Sequence, residues 1–318
     1  MRRFLSHLVI WLVFAIIIAC VLDAMISSGL RKTDIRKYAV WNDIYRGGID
    51  ADLLVIGSSR AWCGFNTYVL DSLLDCDSYN LGLDGHTFDA QLIRYNTYRR
   101  FNSKPSIVLV NTDFLSTLSV SADPQYEREQ FFPYINDSEL INSIAKTKHI
   151  TWLERHMPLL RYFGYRSDIE MGFEAFWGKT VFPDGGMYKG YRGNDYVWDR
   201  ASLKSDTVHN VEIDWGIVAQ LDSFVNDSFN ENVQIVFVKS PIYRPLLDHF
   251  TGIAQTDSVF DSIAKKHKIP LLDFYYSSIG TDTSLFYNPS HLNKKGSIVF
   301  TRELCKDLQC IMGEKHLE

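Results

Sequence analysis

An α/β fold built on a parallel sheet is what this sequence predicts, and three observations carry the prediction. Short, mainly apolar runs end in turn residues, amphipathic helical stretches lie between them, and a single long break interrupts the alternation. The first run is Asp52 to Gly57, apolar in its interior and closed by glycine, the pattern of a strand buried on both faces. Ser106 to Asn111, Val233 to Val238 and Ile269 to Phe274 repeat it, and Ser78 to Leu81 is a weaker version.

The intervening stretches read as helices. Asn66 or Thr67 can cap one that carries Val69, Leu70, Leu73 and Leu74. Thr87 to Phe101 carries Phe88, Leu92, Ile93 and Tyr95 and ends in Arg99 and Arg100, which suits the negative end of a helix dipole. Val211 to Phe229 sets Val211, Trp215, Val218 and Leu221 on one stripe, and Asp257 to Lys268 and Lys294 to Ile311 complete the set. Strand and helix alternating in this way call for right-handed crossovers, with helices covering the sheet.

The break runs from 115 to 206 and is too long for a simple connection. It contains helix-like segments, Ser138 to Lys148 and Thr151 to Tyr165, and a glycine-rich loop from Phe182 to Tyr188. We read it as a largely helical insertion over the carboxyl ends of the strands, where open α/β sheets bind ligands. Residues 51–312 then form the α/β domain, and 28–50, polar and of mixed charge, form a connector.

Residues 1–27 read as a membrane anchor. Arg2 and Arg3 precede fifteen residues, Leu8 to Leu22, without charge, and past Asp23 the residues Ala24, Met25 and Ile26 bring the segment near one bilayer thickness. The positive flank places the N-terminus in the cytoplasm and the rest of the chain outside. A second reading stands beside it: Ile17 to Cys20 resembles the lipobox of bacterial lipoproteins, although apolar residues continue past Cys20. Under either reading the α/β domain is extracytoplasmic and the membrane is a partner.

Composition excludes several classes. A net charge of −5 over 318 residues offers no basic field for nucleic acid. The five cysteines have neither CxxC nor Cys/His spacing, and there is no Gly-x-Gly-x-x-Gly or Walker pattern, so no metal and no cofactor is expected. Cys63 and Cys76 permit a disulfide in an oxidising compartment. Aromatic content of 14% fits core packing or a carbohydrate-facing cleft.

Four segments at strand ends carry side chains suited to acyl chemistry. The first strand runs into Gly57-Ser58-Ser59-Arg60, which exposes a serine hydroxyl where helix-start amides can receive negative charge. The second runs into Asn80 and on to Gly85, whose backbone can approach a substrate oxygen. The third ends in Asn111, Thr112 and Asp113, of which only Asn111 or Thr112 can donate to an oxyanion. The last is Asn288-Pro289-Ser290-His291, ahead of a capping Asn293, with a histidine able to act as general base. Lys239 and Tyr243, at the end of the fourth strand, are further candidates for contact with an anionic substrate.

In that order, the four segments resemble the SGNH (GDSL-like) hydrolase superfamily across residues 50 to 312. The resemblance implies a three-layer, flavodoxin-like domain with Ser59 as nucleophile and His291 as base. It implies an oxyanion hole from the Ser59 and Gly85 amides, with Asn111, Arg60 and Asn80 as binding residues. Combined with the anchor, it is similar to the bacterial proteins that move acyl groups on cell-surface polymers. An acylated polysaccharide or glycan is the implied substrate and a membrane acyltransferase an implied partner. Ser58 stands where the family carries Asp, and Asn288 where it carries the triad acid. Three outcomes follow from Asn288: a Ser-His dyad, a substitute acid such as Asp282 or Asp113, or an inactive glycan-binding or scaffold protein.

Overall fold

The computed structural model describes residues 1–119, 126–148, 150–179, 187–199 and 207–314. The chain divides into two compact units, Met1–Arg46 with Asp123–Asp184, and Gly47–Ala122 with Gly185–Glu318.

The larger unit is a three-layer α/β/α domain. Its sheet contains β1 (Leu53–Ile56), β2 (Ser78–Asn80), β3 (Ile107–Asn111), β4 (Gln234–Lys239) and β5 (Leu271–Asp273) in the order β2-β1-β3-β4-β5. All four pairings are parallel. This is the flavodoxin-like order, in which the chain reverses direction across the sheet at β1 and β3. Leu53, Val55, Leu109, Val236 and Val238 face one way, packing with Phe65, Leu70, Phe300 and Leu304. Those partners come from α4 (Thr67–Leu74), α11 (Lys294–Glu314) and, for Phe65, the residue just past α3 (Ser59–Gly64), whose Ala61 joins the same cluster. The opposite side is covered by α5 (Phe88–Phe101), α9 (Trp215–Asn230) and α10 (Ile253–His267), with ring contacts Phe88–Phe224 at 5.7 Å and Phe237–Phe260 at 6.2 Å. Each such fully buried side chain contributes about 1.5–3 kcal/mol, which explains why the strands read as unbroken apolar runs.

The five expected strands are present, and Asn66 caps α4 by accepting the Val69 N–H at 3.3 Å. The stretch expected to begin a helix at Val211 starts it at Trp215 instead. Asp214 caps that helix, because His209–Asn210 pair in parallel with Phe250–Thr251. Described residues 187–199, expected inside the insertion, belong to the sheet's unit. The Asn80 N–H donates to the Lys189 carbonyl at 2.9 Å and the Tyr191 and Ser297 hydroxyls meet at 2.6 Å. Phe182 to Gly186 of the glycine-rich loop lies outside the described residues. All five cysteines are free, so Cys63 and Cys76 are not paired.

The smaller unit joins α1 (Arg2–Leu30) and α2 (Arg36–Arg46) to α6 (Ser138–Lys148), α7 (Trp152–His156) and α8 (Arg166–Phe176). The expected connector thus contains α2, which forms because Tyr38, Trp41 and Ile44 bury one stripe of it. Ile26, Leu30, Tyr38, Phe132 and Tyr162 make its core. Gly29 and Gly172 let α1 and α8 meet backbone to backbone: a Cβ on Gly172 would sit 2.8 Å from the Ile26 carbonyl oxygen. The helix α1 is the one described helix long and apolar enough to cross a membrane. Ile26, expected to extend the membrane segment, is instead buried in protein, and the exposed apolar part of α1 ends near Val21.

Candidate active site

At the carboxyl edge of the sheet, β1 turns through Gly57 and Ser58 directly into α3, so Ser59 is the first helical residue. Ser58 holds this turn. Its Oγ accepts the Arg60 N–H at 3.4 Å as a helix cap and donates to Asp113 Oδ2 at 3.0 Å. Gly82 lets the loop after β2 lie against α3, since a Cβ there would meet the Trp62 backbone nitrogen at 2.6 Å. Between Leu53 and Thr67, Ser59 is the single residue that is not buried. The fold therefore presents one hydroxyl and hides its neighbours.

His291 reaches that hydroxyl from a two-stranded hairpin, Phe286–Asn288 with His291–Leu292, immediately before α11. Asn293 secures the hairpin, its Nδ2 donating to the Ser284 carbonyl at 2.8 Å and its Oδ1 accepting the Gly296 N–H at 2.9 Å. Ser59 Oγ and His291 Nε2 are 2.7 Å apart, although 232 positions separate the residues. The Tyr287 ring stacks on the imidazole with centroids 5.3 Å apart.

Behind the imidazole stands Asn288, with Oδ1 2.8 Å from His291 Nδ1. The Ser290 N–H donates to the same Oδ1 at 3.0 Å, the side-chain turn expected of Asn-Pro-Ser. A backbone N–H needs an acceptor, so this bond assigns the oxygen, not the amide nitrogen, to the ring side. Nδ1 then carries the proton and Nε2 is left to accept from Ser59. Ser290 Oγ, also 2.8 Å from Nδ1, supports the same tautomer.

Burial pushes the His291 imidazole down to about 4, and the Arg60 guanidinium adds to the effect, while Asp84 and Asp113 pull the other way. The ring is thus neutral at ordinary pH and open to accept a proton. It is also a weaker base than general-base catalysis near neutrality prefers.

Among the other expected site residues, Asn80 and Asn111 are committed to the scaffold. Asn80 Nδ2 donates to the Ala61 and Phe65 carbonyls at 2.9 and 3.0 Å, and its Oδ1 accepts the Gly82 N–H at 2.8 Å, clasping α3 to β2. Asn111 Nδ2 donates to Asp113 Oδ2 at 3.2 Å and its Oδ1 accepts from the Ser240 N–H at 3.4 Å, so the amide points to these partners and not to an oxyanion. Arg60 is buried, with Nη2 donating to the Ser240 and Pro241 carbonyls at 2.5 and 3.1 Å, so it reaches the site through its charge. Gly85 sits in an exposed turn at φ +64, a backbone conformation that favours glycine.

Neither substitute acid touches the histidine ring. Asp282 caps a short helical turn, accepting the Ser284 N–H at 2.9 Å. Asp113 is enclosed by Ser58, Asn111, Leu115 and Ser116 donors. Lys239 is buried in ion pairs with Asp257 at 3.0 Å and Asp273 at 3.3 Å, and Tyr243 packs on Trp198 at 5.1 Å between ring centroids. Two features escaped the sequence reading: the Ser58–Asp113 tie behind the nucleophile turn, and the way Ser290 fixes the Asn288 amide. The Asn-Pro-Ser pattern was a usable signal for the second.

No family model matches the chain, and no curated protein matches it. Among solved structures, it is similar to the psychrotrophic esterase EstA of a Pseudoalteromonas species, solved inhibited by monoethylphosphonate. Identity is 12%, the TM-score is 0.42, and the match covers 83% of this chain and 100% of the esterase. The fold assignment itself rests on the strand order and pairing given above.

Chemically, a hydroxyl bonded to a correctly protonated imidazole, on the first residue of a helix, is an arrangement for nucleophilic attack on an acyl carbon. The arrangement lacks a carboxylate on Nδ1.

Proposed function

We propose that the chain is an SGNH-type serine esterase or O-acyltransferase that acts on acyl esters of cell-envelope or exported polysaccharide. Ser59 attacks the acyl carbonyl, His291 takes its proton, and the acyl group passes to water or a sugar hydroxyl, with the Ser59 and Gly85 amides receiving the oxyanion. The observation that carries this reading is the 2.7 Å Ser59–His291 contact, with the ring's other nitrogen held in the matching tautomer. The polymer class is inferred from the resemblance together with the anchor. The unbroken run of α1 through Cys20 to Leu30 supports an uncleaved anchor over the lipoprotein alternative, and the Arg2-Arg3 flank supports an α/β domain outside the cytoplasm.

A second reading, a glycan-binding or scaffold protein without turnover, is favoured by the neutral Asn288 and by the low proton affinity of His291. A fluorophosphonate probe and p-nitrophenyl acetate separate the two. The enzyme reading expects labelling at Ser59 and ester cleavage that Ser59→Ala removes. Equal, negligible cleavage by both proteins, with no labelling and unaltered polymer acylation in cells, leaves the scaffold reading.

A further inference from the structure

We propose that the smaller unit rests in the membrane surface itself, with an apolar shelf formed by α7 and the turn after it seated in the headgroup region beside the anchor helix. This inference rests on the reading of α1 as an anchor. The exposed, mainly apolar part of α1, Phe4 to Val21 with Ser6 and His7 near its start, is eighteen residues, which at 1.5 Å per residue span about 27 Å, close to a hydrocarbon core. Asp23 follows after Leu22 and marks the end of the core, because a carboxylate, even a paired one, is costly inside hydrocarbon.

Asp23 is bound by the shelf. Its Oδ1 accepts the Leu159 N–H at 2.9 Å and its Oδ2 pairs with the Arg161 guanidinium. One turn further on, Ser27 Oγ meets the Tyr162 hydroxyl at 2.8 Å. Residues 159–162 are therefore fixed to the helix at the depth where water gives way to lipid. Leu159 adopts φ +66 at this attachment, a backbone conformation that residues with a bulky side chain rarely take.

The side chains flanking that point face outward and are apolar. Phe163 is 84% exposed, Trp152 68%, Leu153 52%, Met157 49% and Leu160 40%. Isolated surface apolar groups need no explanation, but five within twelve residues, two of them aromatic, mark an interaction surface. Aromatic rings with adjoining aliphatic groups suit the interfacial layer. Two neighbouring cations are paired, Arg128 with Glu154 and Arg166 with Glu170 at 2.7 Å, and Arg155 of α7 hydrogen-bonds the neutral Asn142 amide at 2.9 Å, so the shelf engages lipid chiefly by apolar insertion, with one cation left at headgroup level.

The test uses the full chain in phosphatidylcholine nanodiscs, with p-benzoylphenylalanine placed singly at Trp11, Phe163 or Trp177, and lipid adducts read by mass spectrometry. Trp177 is the reference. It is 73% exposed, yet its neighbour Phe176 lies under Lys32, just past the end of α1 at Leu30, itself about 10 Å beyond Asp23 along the helix axis. We expect lipid adducts at 11 and at 163, with the yield at 163 several times that at 177 and little changed when phosphatidylglycerol is added. Adducts at 11 with 163 no higher than 177 would overturn the shelf and leave the anchor standing. A yield at 163 that requires phosphatidylglycerol would overturn insertion by apolar contact. Absence of adducts at 11 would remove the anchor reading and the shelf with it.

Discussion

Replacing Asn288 by Asp should raise ester turnover, and the size of the gain follows from the contact at His291 Nδ1. In the serine-protease triad the reverse swap costs about 10⁴, largely because the amide allows the wrong tautomer. Here the tautomer is already right, since the Ser290 N–H holds Asn288 Oδ1 toward the ring. The missing contribution is therefore electrostatic. Attraction between a carboxylate and the imidazolium formed during attack, about 4 Å apart at an effective dielectric of 20, is at most about 4 kcal/mol. Desolvation of the carboxylate and loss of the existing neutral bond leave about 1.5–3 kcal/mol, or roughly ten- to a hundredfold in kcat/KM. Ser290 supplies two donors, N–H at 3.0 Å and Oγ at 3.2 Å, so the new carboxylate is not left unsatisfied.

The same substitution moves the histidine. Burial holds His291 down to about 4, so the acid limb of the wild-type profile is expected near pH 4, with a flat rate through neutrality. A carboxylate neighbour should raise the limb by about one to two pH units. The assay is the pH profile of kcat/KM for p-nitrophenyl acetate in wild type, Asn288→Asp and Asn288→Ala. A faster Asp variant with a displaced limb, and an Ala variant slower than wild type, are the expected results. An Asp variant that folds normally but neither accelerates nor shifts the limb would refute the claim that this contact governs the base.

Three further outcomes follow from the packing. The unfolded-state value of His291 is near 6.5 and the folded value about 4, so the unfolded chain binds the extra proton between them and stability falls as pH drops through that window. The loss amounts to about 3 kcal/mol at most, and denaturant midpoints at pH 7 and pH 4.5 should differ less in His291→Gln than in wild type. Asn80→Asp sets a carboxylate oxygen against the Ala61 and Phe65 carbonyls and should cost about 3 kcal/mol, read as a fall in Tm together with weaker probe labelling of Ser59. Gly82→Ala drives a methyl into the Trp62 backbone and should cost about 1–3 kcal/mol, with probe labelling of Ser59 reduced in parallel.

Which parts of this molecule were legible in its sequence depends on the range of the interaction that forms them. The strands were legible because burial on both faces leaves an unbroken apolar run, as in Leu53–Ile56 and Ile107–Asn111. The helix α2 was not, because its stripe of Tyr38, Trp41 and Ile44 is set among Arg36, Lys37, Asp43 and Arg46, and a short charged segment reads as a connector. The grouping of 123–184 with α1 was invisible for a stronger reason. It is made by pairs such as Asp23–Arg161 and Ser27–Tyr162, more than 130 positions apart, and local pattern carries no information about them. At the site, ordered strand ends put a serine of the Gly57-Ser58-Ser59 turn and His291 at one edge, because a parallel sheet brings its carboxyl ends together, and the family resemblance chose Ser59. They could not reveal that Asn111 is turned toward Asp113, or that burial and the Arg60 charge hold the histidine down to about 4. Position is inherited from topology, whereas proton affinity depends on every charge and every desolvating neighbour within several ångströms. A site can therefore hold a nucleophile and base in place and still be slow, and the neutral group behind His291 makes rate the property that must be measured here.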